Sequence, residues 1–551
     1  MTSSTSGSPQ RTEGATPTDA AGTLSAHALA SSRIDNLGLG SWPARRARVR
    51  PDAVAWEFEG RETTYLEVHE RTSRLADALS AAGVRPEDRV AYVGFNHPAL
   101  LEVFFACGIL GATAVLVNPR LSGPEVEFIL GDCGAEVCFY GEAQVDNVAR
   151  VLLPSDQLSV RRWVHVDHPV EGAQSIAHED LMATGRPDRR AAEVPLGSVA
   201  LIMYTSGTTG RPKGAMLTHQ GLFYQYVNAL IGQDLRQDEV HLTIAPLFHI
   251  AGLNMMTVPA FTLGGRLVIQ RAFHAETVLR TIAEQGVTSA FFVPAMLDAL
   301  SHQPTWEQTD LSSLRSVMVG GSPLSDRTIT TWADRGVPLM QGFGMTETAP
   351  GARMLEPRDN RTKLGSAGRP HFFTDSRVVG LDGELAAPGE AGEILISGPN
   401  VMAGYWNRPE ASKEALADGW YHTGDVGLSD EDGYLYIKDR IKDMYISGGE
   451  NVYPAEVENA LMSLPGVRDC AVVGVPDERW GESGMAFVEV LPDVRVGGEE
   501  LREQLRGRLA GYKLPREVRV VETIPRTATG KVQKFRLREL ADDPLRDQPA
   551  P

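Results

Sequence analysis

Residues 199–219 read VALIMYTSGTTGRPKGAMLTH, and GLFYQYVNAL follows from Gly221. The apolar run ending at Tyr204 is the pattern of a buried strand, and GLFYQYVNAL has helical spacing, so the predicted order is strand, polar Gly-rich loop, helix. Gly207, Gly210 and Gly214 carry no side chain to hold a ligand off the backbone. Thr205, Ser206, Thr208 and Thr209 add hydroxyl donors and Lys213 adds a positive charge. A loop of that composition suits a triphosphate. It is not the P-loop of kinases and GTPases, which needs four residues between its glycines and then Gly-Lys-Ser/Thr. Here Gly207 and Gly210 enclose two residues and Gly214 follows Lys213.

Working outward, short Val- and Ile-rich runs alternate with helical patterns from about Ser32 to Lys438. One example is RVAYVGF, then PALLEVFFACGIL, then ATAVLVN. This is the alternation of βαβ units, and it predicts an α/β fold. After KDRIKD the pattern restarts as a smaller α/β unit, with Pro454 placed to open a helix and CAVVGV and MAFVEVL as strands. The expected organisation is a tail over 1–30, a large domain over 31–441, a small domain over 442–540 and a second tail over 541–551. In the small domain Leu501, Leu505 and Leu509 fall at intervals of four and predict one apolar helix stripe.

The chain has 551 residues, 42% of them hydrophobic and 23% charged. That composition belongs to globular proteins, and the length exceeds what one hydrophobic core organises. A net charge of -18 opposes chain-wide attraction to nucleic acid or anionic lipid, so no nucleic-acid partner is expected. Cys107, Cys133, Cys138 and Cys470 lack zinc-site spacing and are too few for a disulfide scaffold, which points to reduced thiols in the cytoplasm. The first 30 residues are rich in Ser, Thr, Gly and Ala without a basic start or apolar core, unlike a secretory signal. The apolar stretch Val103 to Val117 is too short to span a bilayer and reads as a buried helix leading into a strand.

The loop at Tyr204 to His219 resembles the signature loop of the adenylate-forming superfamily, which includes acyl-CoA synthetases, peptide-synthetase adenylation domains and beetle luciferases. Further motifs of that family follow in order. GGSPL, with Gly320, Gly321 and Ser322, is similar to its adenine-contacting turn. QGFGMTET, covering Gln341, Gly342, Phe343, Gly344, Met345, Thr346 and Glu347, is similar to its nucleotide segment. The resemblance implies that Phe343 stacks on the base, Thr346 binds phosphate and Glu347 holds Mg²⁺. Phe343 stands where relatives often have Tyr, so a phenol hydrogen bond is absent there. Asp425 in WYHTGDVG and Arg440 in KDRIKD are implied ribose contacts, and Lys531 in RTATGKVQK is the implied lysine of the adenylation step. His249 in PLFHIAGL is placed beside the acid's carboxylate. The acyl pocket is expected to draw on 249–256, 292–296, 317–321 and 342–344.

The same resemblance implies a small domain that closes in two orientations about Lys442. One presents Lys531; the other presents Gly448, Gly449 and Glu450 of YISGGEN to the thiol of coenzyme A. The expected reaction uses ATP and Mg²⁺ to make an acyl-adenylate with release of pyrophosphate, then passes the acyl group to coenzyme A and releases AMP. Two alternatives stand beside it. One is an adenylating enzyme that loads a carrier-protein thiol or an amine, or that activates an unusual acid such as nitrous acid. The other is a catalytically silent nucleotide binder, for which loss of Lys531, Glu347 or Thr346 would be expected; all three are present. A homodimer would follow family habit.

Overall fold

The computed structural model describes residues 34–141, 158–170, 174–205, 212–322, 324–380, 382–440, 443–447, 450–477, 480–492, 494–506, 508–526 and 532–541. Both predicted tails lie outside them apart from Ala541. Four sheets carry the chain. The first has seven strands in the order Ser175–Ala177, Arg162–His165, Ala135–Tyr140, Arg89–Val93, Thr113–Val117, Val199–Thr205, Lys213–Thr218. All are parallel except the last, which runs antiparallel to Val199–Thr205.

That last strand departs from the expected order. The loop after Thr205 does not feed the helix directly; the chain first returns along the same sheet edge and only then enters the helix His219–Gly232. The reason is in the residues: Ala215 and Leu217 are buried while their neighbours Met216 and Thr218 are not, a period-two alternation that selects a strand. Thr218 then caps the helix, its hydroxyl accepting from the amide of Gly221.

A second, nine-stranded sheet contains the parallel strands Ser289–Phe292, Ser316–Val319 and Leu339–Phe343, with antiparallel strands such as Arg353–Leu355 at its edge. A third, antiparallel sheet of four strands holds Tyr421–Ser429 beside Leu435–Arg440. The fourth begins at Tyr445–Ser447 and is built on Val467–Asp477 and Gly481–Val490. It buries one core beneath Val457, Leu461, Leu501 and Leu505, and another beneath Ile524 and Leu537. Pro454 does open a helix there, Pro454–Met462. The expected stripe is shorter than the spacing implied: the helix is Gly498–Leu505, Arg506 turns extended, and Leu509 packs on the same core from outside the helix. Gly507 comes next in the sequence, and glycine disfavours helix continuation.

The apolar stretch near Val103 forms the helix Pro98–Leu110 and the strand Thr113–Val117, both buried. Among the described residues no helix is long and apolar enough to cross a membrane. Backbone packs on backbone here: a Cβ on Gly40 would lie 2.1 Å from the carbonyl carbon of Gly108. All four cysteines are buried and free.

One carboxylate sits inside this apolar layer. Glu102 accepts from Arg71 Nε at 2.5 Å and from His178 Nε2 at 2.7 Å. Burial opposes its ionisation, but His178 and Arg71 outweigh burial and hold its carboxyl well below the usual range. A depressed carboxyl pKa stabilises the fold above the unfolded value of about 4.3 and loses that contribution as pH falls towards the folded value. Glu102→Gln is therefore expected to cost about 3–5 kcal/mol at neutral pH. Thermal unfolding of the two proteins would show it, with the gap narrowing in acid.

Candidate nucleotide and acid site

In open parallel sheets, ligands sit outside the carboxyl ends of the strands. Several of the residues expected from sequence lie there, on two sheets. Val199–Thr205 ends at Thr205. Ser316–Val319 ends at Gly320, where Gly321 takes a left-handed φ of +92° and Ser322 is exposed. Leu339–Phe343 runs into Gly344 and the turn Thr346–Thr348.

The turn that carries Glu347 is tightly determined. A Cβ on Gly344 would lie 1.7 Å from the carbonyl oxygen of Pro350, so only glycine fits. The amide of Met345 donates to the Thr348 hydroxyl at 3.0 Å, and Ala349 closes the turn at φ +62°. This geometry brings Glu347, 7% exposed, to the end of the first sheet. Its Oε1 accepts from the Tyr405 hydroxyl at 2.9 Å and lies 3.4 Å from the Thr205 hydroxyl. Buried Tyr421 lies close to Tyr405 and Glu347. Burial, with the Glu347 charge beside it, raises the pKa of both phenols, which keeps them protonated as donors. Lys213 Nζ stands 5.1 Å over the Tyr405 ring.

Thr205, Lys213 and Glu347 are thus brought together. Phe343 and Thr346 are half-buried beside them, and Gln341 donates to the Ser366 carbonyl at 3.2 Å. Asp425 and Arg440 pair with each other across adjacent strands, Nε to Oδ1 at 3.0 Å. His249 lies against Phe248, ring centroids 4.7 Å apart, and its carbonyl accepts from the amide of Leu253. Glu450 is exposed at the start of the strand Glu450–Val452. Ser206, Gly207, Thr208, Thr209, Gly210, Lys442, Gly448, Gly449 and Lys531 lie outside the described residues.

The predicted acyl-pocket segments also meet. Met255, Met256, Met318, Met340 and Phe291 form one buried cluster. Met318 Cε lies 2.2 Å from where a Cβ on Gly342 would stand, and the Phe291 ring lies 3.5 Å from the corresponding point on Gly320. Tyr405 and Tyr421 had not been picked out from the sequence. The signal available for Tyr405 was its place after Gly404 in an aromatic, Gly-containing loop, a weaker pattern than the motifs that surround it.

The family model described as AMP-binding enzyme matches residues 43–406, and that described as AMP-binding enzyme C-terminal domain matches residues 456–531. The chain belongs to the adenylate-forming AMP-binding enzymes. Among relatives of this AMP-binding enzyme, a feruloyl-CoA synthase from an Amycolatopsis species is 48% identical over 503 residues, covering 91% of this chain and 99% of the relative. An indoleacetate–CoA ligase from Aromatoleum aromaticum is 42% identical, covering 92% and 98%. Among solved structures, the O-succinylbenzoate coenzyme A synthetase of Bacillus subtilis in complex with ATP and magnesium ion superposes with a TM-score of 0.79 at 32% identity, covering 91% of this chain and 99% of that one.

Proposed function

We propose that this AMP-binding enzyme is an AMP-forming acyl-CoA ligase whose acid carries an aromatic ring. The observation that carries the reading is the junction of Glu347 with Thr205 and Tyr405 at the strand ends of the seven- and nine-stranded sheets. Likeness to the feruloyl-CoA synthase and the indoleacetate–CoA ligase supports an aryl acid and coenzyme A as acceptor.

A carboxylate attacking the α-phosphate of ATP meets a centre already crowded with negative charge. The residues at the junction fit Mg²⁺, a hard cation that prefers oxygen ligands: the Glu347 carboxylate, with hydroxyls of Thr205 and Tyr405 beside it. Mg²⁺ bound there would neutralise phosphate charge as the pentavalent centre forms. Tyr405 orients the Glu347 carboxylate. Thr346 supplies a hydroxyl donor to phosphate, Lys213 and the 206–210 loop contact the outer phosphates, and Phe343 stacks on adenine. Asp425 accepts from the ribose hydroxyls while Arg440 holds it in place. Lys531 balances charge between the acid and the α-phosphate, and His249 sits beside the acid. The mixed anhydride then reacts with the thiol because AMP is a good leaving group, with Gly448 and Gly449 giving the thiol arm close backbone approach after rotation about Lys442. The buried free thiols suit a reducing compartment, and the cytoplasm is the proposed location.

The test is to incubate the protein with Mg-ATP and hydroxylated aryl, plain aryl and aliphatic acids, with and without coenzyme A, following pyrophosphate and thioester together. Acid-dependent pyrophosphate with thioester is the expected result. Pyrophosphate without thioester would transfer the proposal to a carrier protein or amine acceptor, and no acid-dependent pyrophosphate would remove the ligase reading.

A further inference from the structure

Resting on the ligase reading, we infer that Asp132 is a positioning residue for the Glu347 junction: it ties the segments that carry Thr205 and Tyr405 to one point and so fixes the spacing of the two hydroxyls that flank Glu347. The observation is that a single residue on a third element receives hydrogen bonds from both segments. Its side chain is only 10% exposed.

Asp132 lies in the last turn of the helix Gly123–Cys133, which Gly134 closes in a left-handed conformation. A carboxylate there opposes the helix dipole, whose C-terminal end is already negative, so the helix itself gains nothing from it. Its partners lie elsewhere in the chain. Oδ2 accepts from the Tyr204 hydroxyl at 2.7 Å, and Oδ1 accepts from Arg408 Nη2 at 2.7 Å. The Asp132 carbonyl, one of the acceptors that a helix end leaves without intrahelical donors, takes the Trp406 indole N–H at 3.1 Å and the Asn407 side-chain amide at 3.2 Å. Arg89 lies 5.3 Å over the Trp406 ring and donates to the carbonyls of Cys133 and Gly134, so the helix end and the 406–408 segment interlock.

These contacts close a frame around the junction. Tyr204 immediately precedes Thr205, and successive strand residues face opposite sides, so the strand end is held from one face while Thr205 meets Glu347 from the other. Trp406, Asn407 and Arg408 immediately follow Tyr405. The backbone supplies the remaining side of the frame: the Trp406 amide donates to the Gly214 carbonyl at 2.7 Å, the Met216 amide donates to the Gly404 carbonyl, and Tyr405 forms an isolated bridge to Ala215. A Cβ on Gly214 would lie 3.1 Å from the Tyr204 ring, so glycine at this point lets the ring reach across to Asp132. An isolated bridge resists sliding weakly, and the Asp132 bonds index the Tyr405 loop against the strand. Without the carboxylate, Arg408 loses its ion-pair partner and Tyr204 its acceptor, and the two hydroxyls at Glu347 lose their common reference.

The wild-type protein, Asp132→Asn, Tyr405→Phe and the double variant are compared by calorimetry of ATP binding at graded Mg²⁺ concentrations, by acid-dependent pyrophosphate release, and by thioester formation from preformed acyl-adenylate. Asp132→Asn is expected to raise the Mg²⁺ concentration for half-maximal ATP binding by about tenfold, the low end for groups that orient metal ligands. Pyrophosphate release should fall by a similar factor through kcat, with thioester formation from the preformed adenylate unchanged. Because Asp132 acts through Tyr405, the double variant should lose less than the product of the two single losses. Tyr204→Phe cuts only the strand-side tie and should reproduce part of the Mg²⁺ shift; it decides the matter if Asp132→Asn does not fold. An unchanged Mg²⁺ dependence would overturn the inference, as would fully multiplicative losses in the double variant. Equal losses in both half-reactions with lower thermal stability would also overturn it, leaving Asp132 as an ion pair that serves the fold. The calorimetric comparison needs no acid, so a wild-type protein without acid-dependent pyrophosphate would remove the ligase reading while the role of Asp132 is still decided.

Discussion

Lys531→Ala is expected to lower acid-dependent pyrophosphate release by about 10²–10³-fold or more, the scale for removing one preorganised charge-stabilising group from a transition state. Lys531 lies outside the described residues, and its role is proposed from its place in RTATGKVQK. Two further measurements give the prediction its shape. ATP binding, followed by calorimetry, should weaken by far less than turnover, since the ammonium acts mainly on charge developing at the α-phosphate. Thioester formation from chemically prepared acyl-adenylate and coenzyme A should persist, because that half-reaction is proposed to use the other orientation of the small domain. Loss of both half-reactions together would mean that Lys531 holds the structure instead of serving adenylation.

Glu347→Gln is expected to lower adenylation to a similar degree, with a different signature. The substitution keeps the size of the side chain and an oxygen to accept from Tyr405 and Thr205, so the turn at Thr346–Thr348 should remain intact. In the proposed role, what it removes is the negative charge beside the phosphates, and with it affinity for Mg²⁺. The dependence of rate on Mg²⁺ concentration should shift to higher concentration, and Mn²⁺, which accepts a wider range of donors, should recover part of the activity. A large fall in kcat with an unchanged Mg²⁺ dependence would remove Glu347 from the metal and leave it an orienting role.

The architecture was legible from particular stretches because local and global requirements agreed in them. PALLEVFFACGIL begins with proline and precedes a glycine that takes a left-handed φ, so both ends of the helix Pro98–Leu110 are written in the residues. The motif residues Thr205 and Glu347 were legible one at a time, but their meeting was not. They are 142 positions apart and belong to different sheets, and only the closing of the two sheets onto one crevice brings them to 3.4 Å. The same reason hid Tyr405, whose significance comes entirely from its hydrogen bond to Glu347. The π-helix Ala251–Thr257 was harder still, since nothing in AGLNMMT announces it. The return strand Lys213–Thr218 was missed for a different reason: its alternation is only six residues long, and the glycines before it and the helix after it dominate the reading.

That return strand has an entropic consequence for ATP capture. Thr205 stands opposite Lys213 in the antiparallel register, so residues 206–212 connect two points fixed about one strand spacing apart, roughly 4.8 Å. The ends of the nucleotide loop are joined by the sheet before any ligand arrives. The closure cost of that ring, which for a free segment grows with its length, is already met by folding. In the proposed nucleotide role, that closure cost is therefore not charged to phosphate binding. Lengthening the loop by one or two residues should weaken nucleotide affinity gradually instead of abruptly, since the frame that holds its ends does not depend on what lies between them.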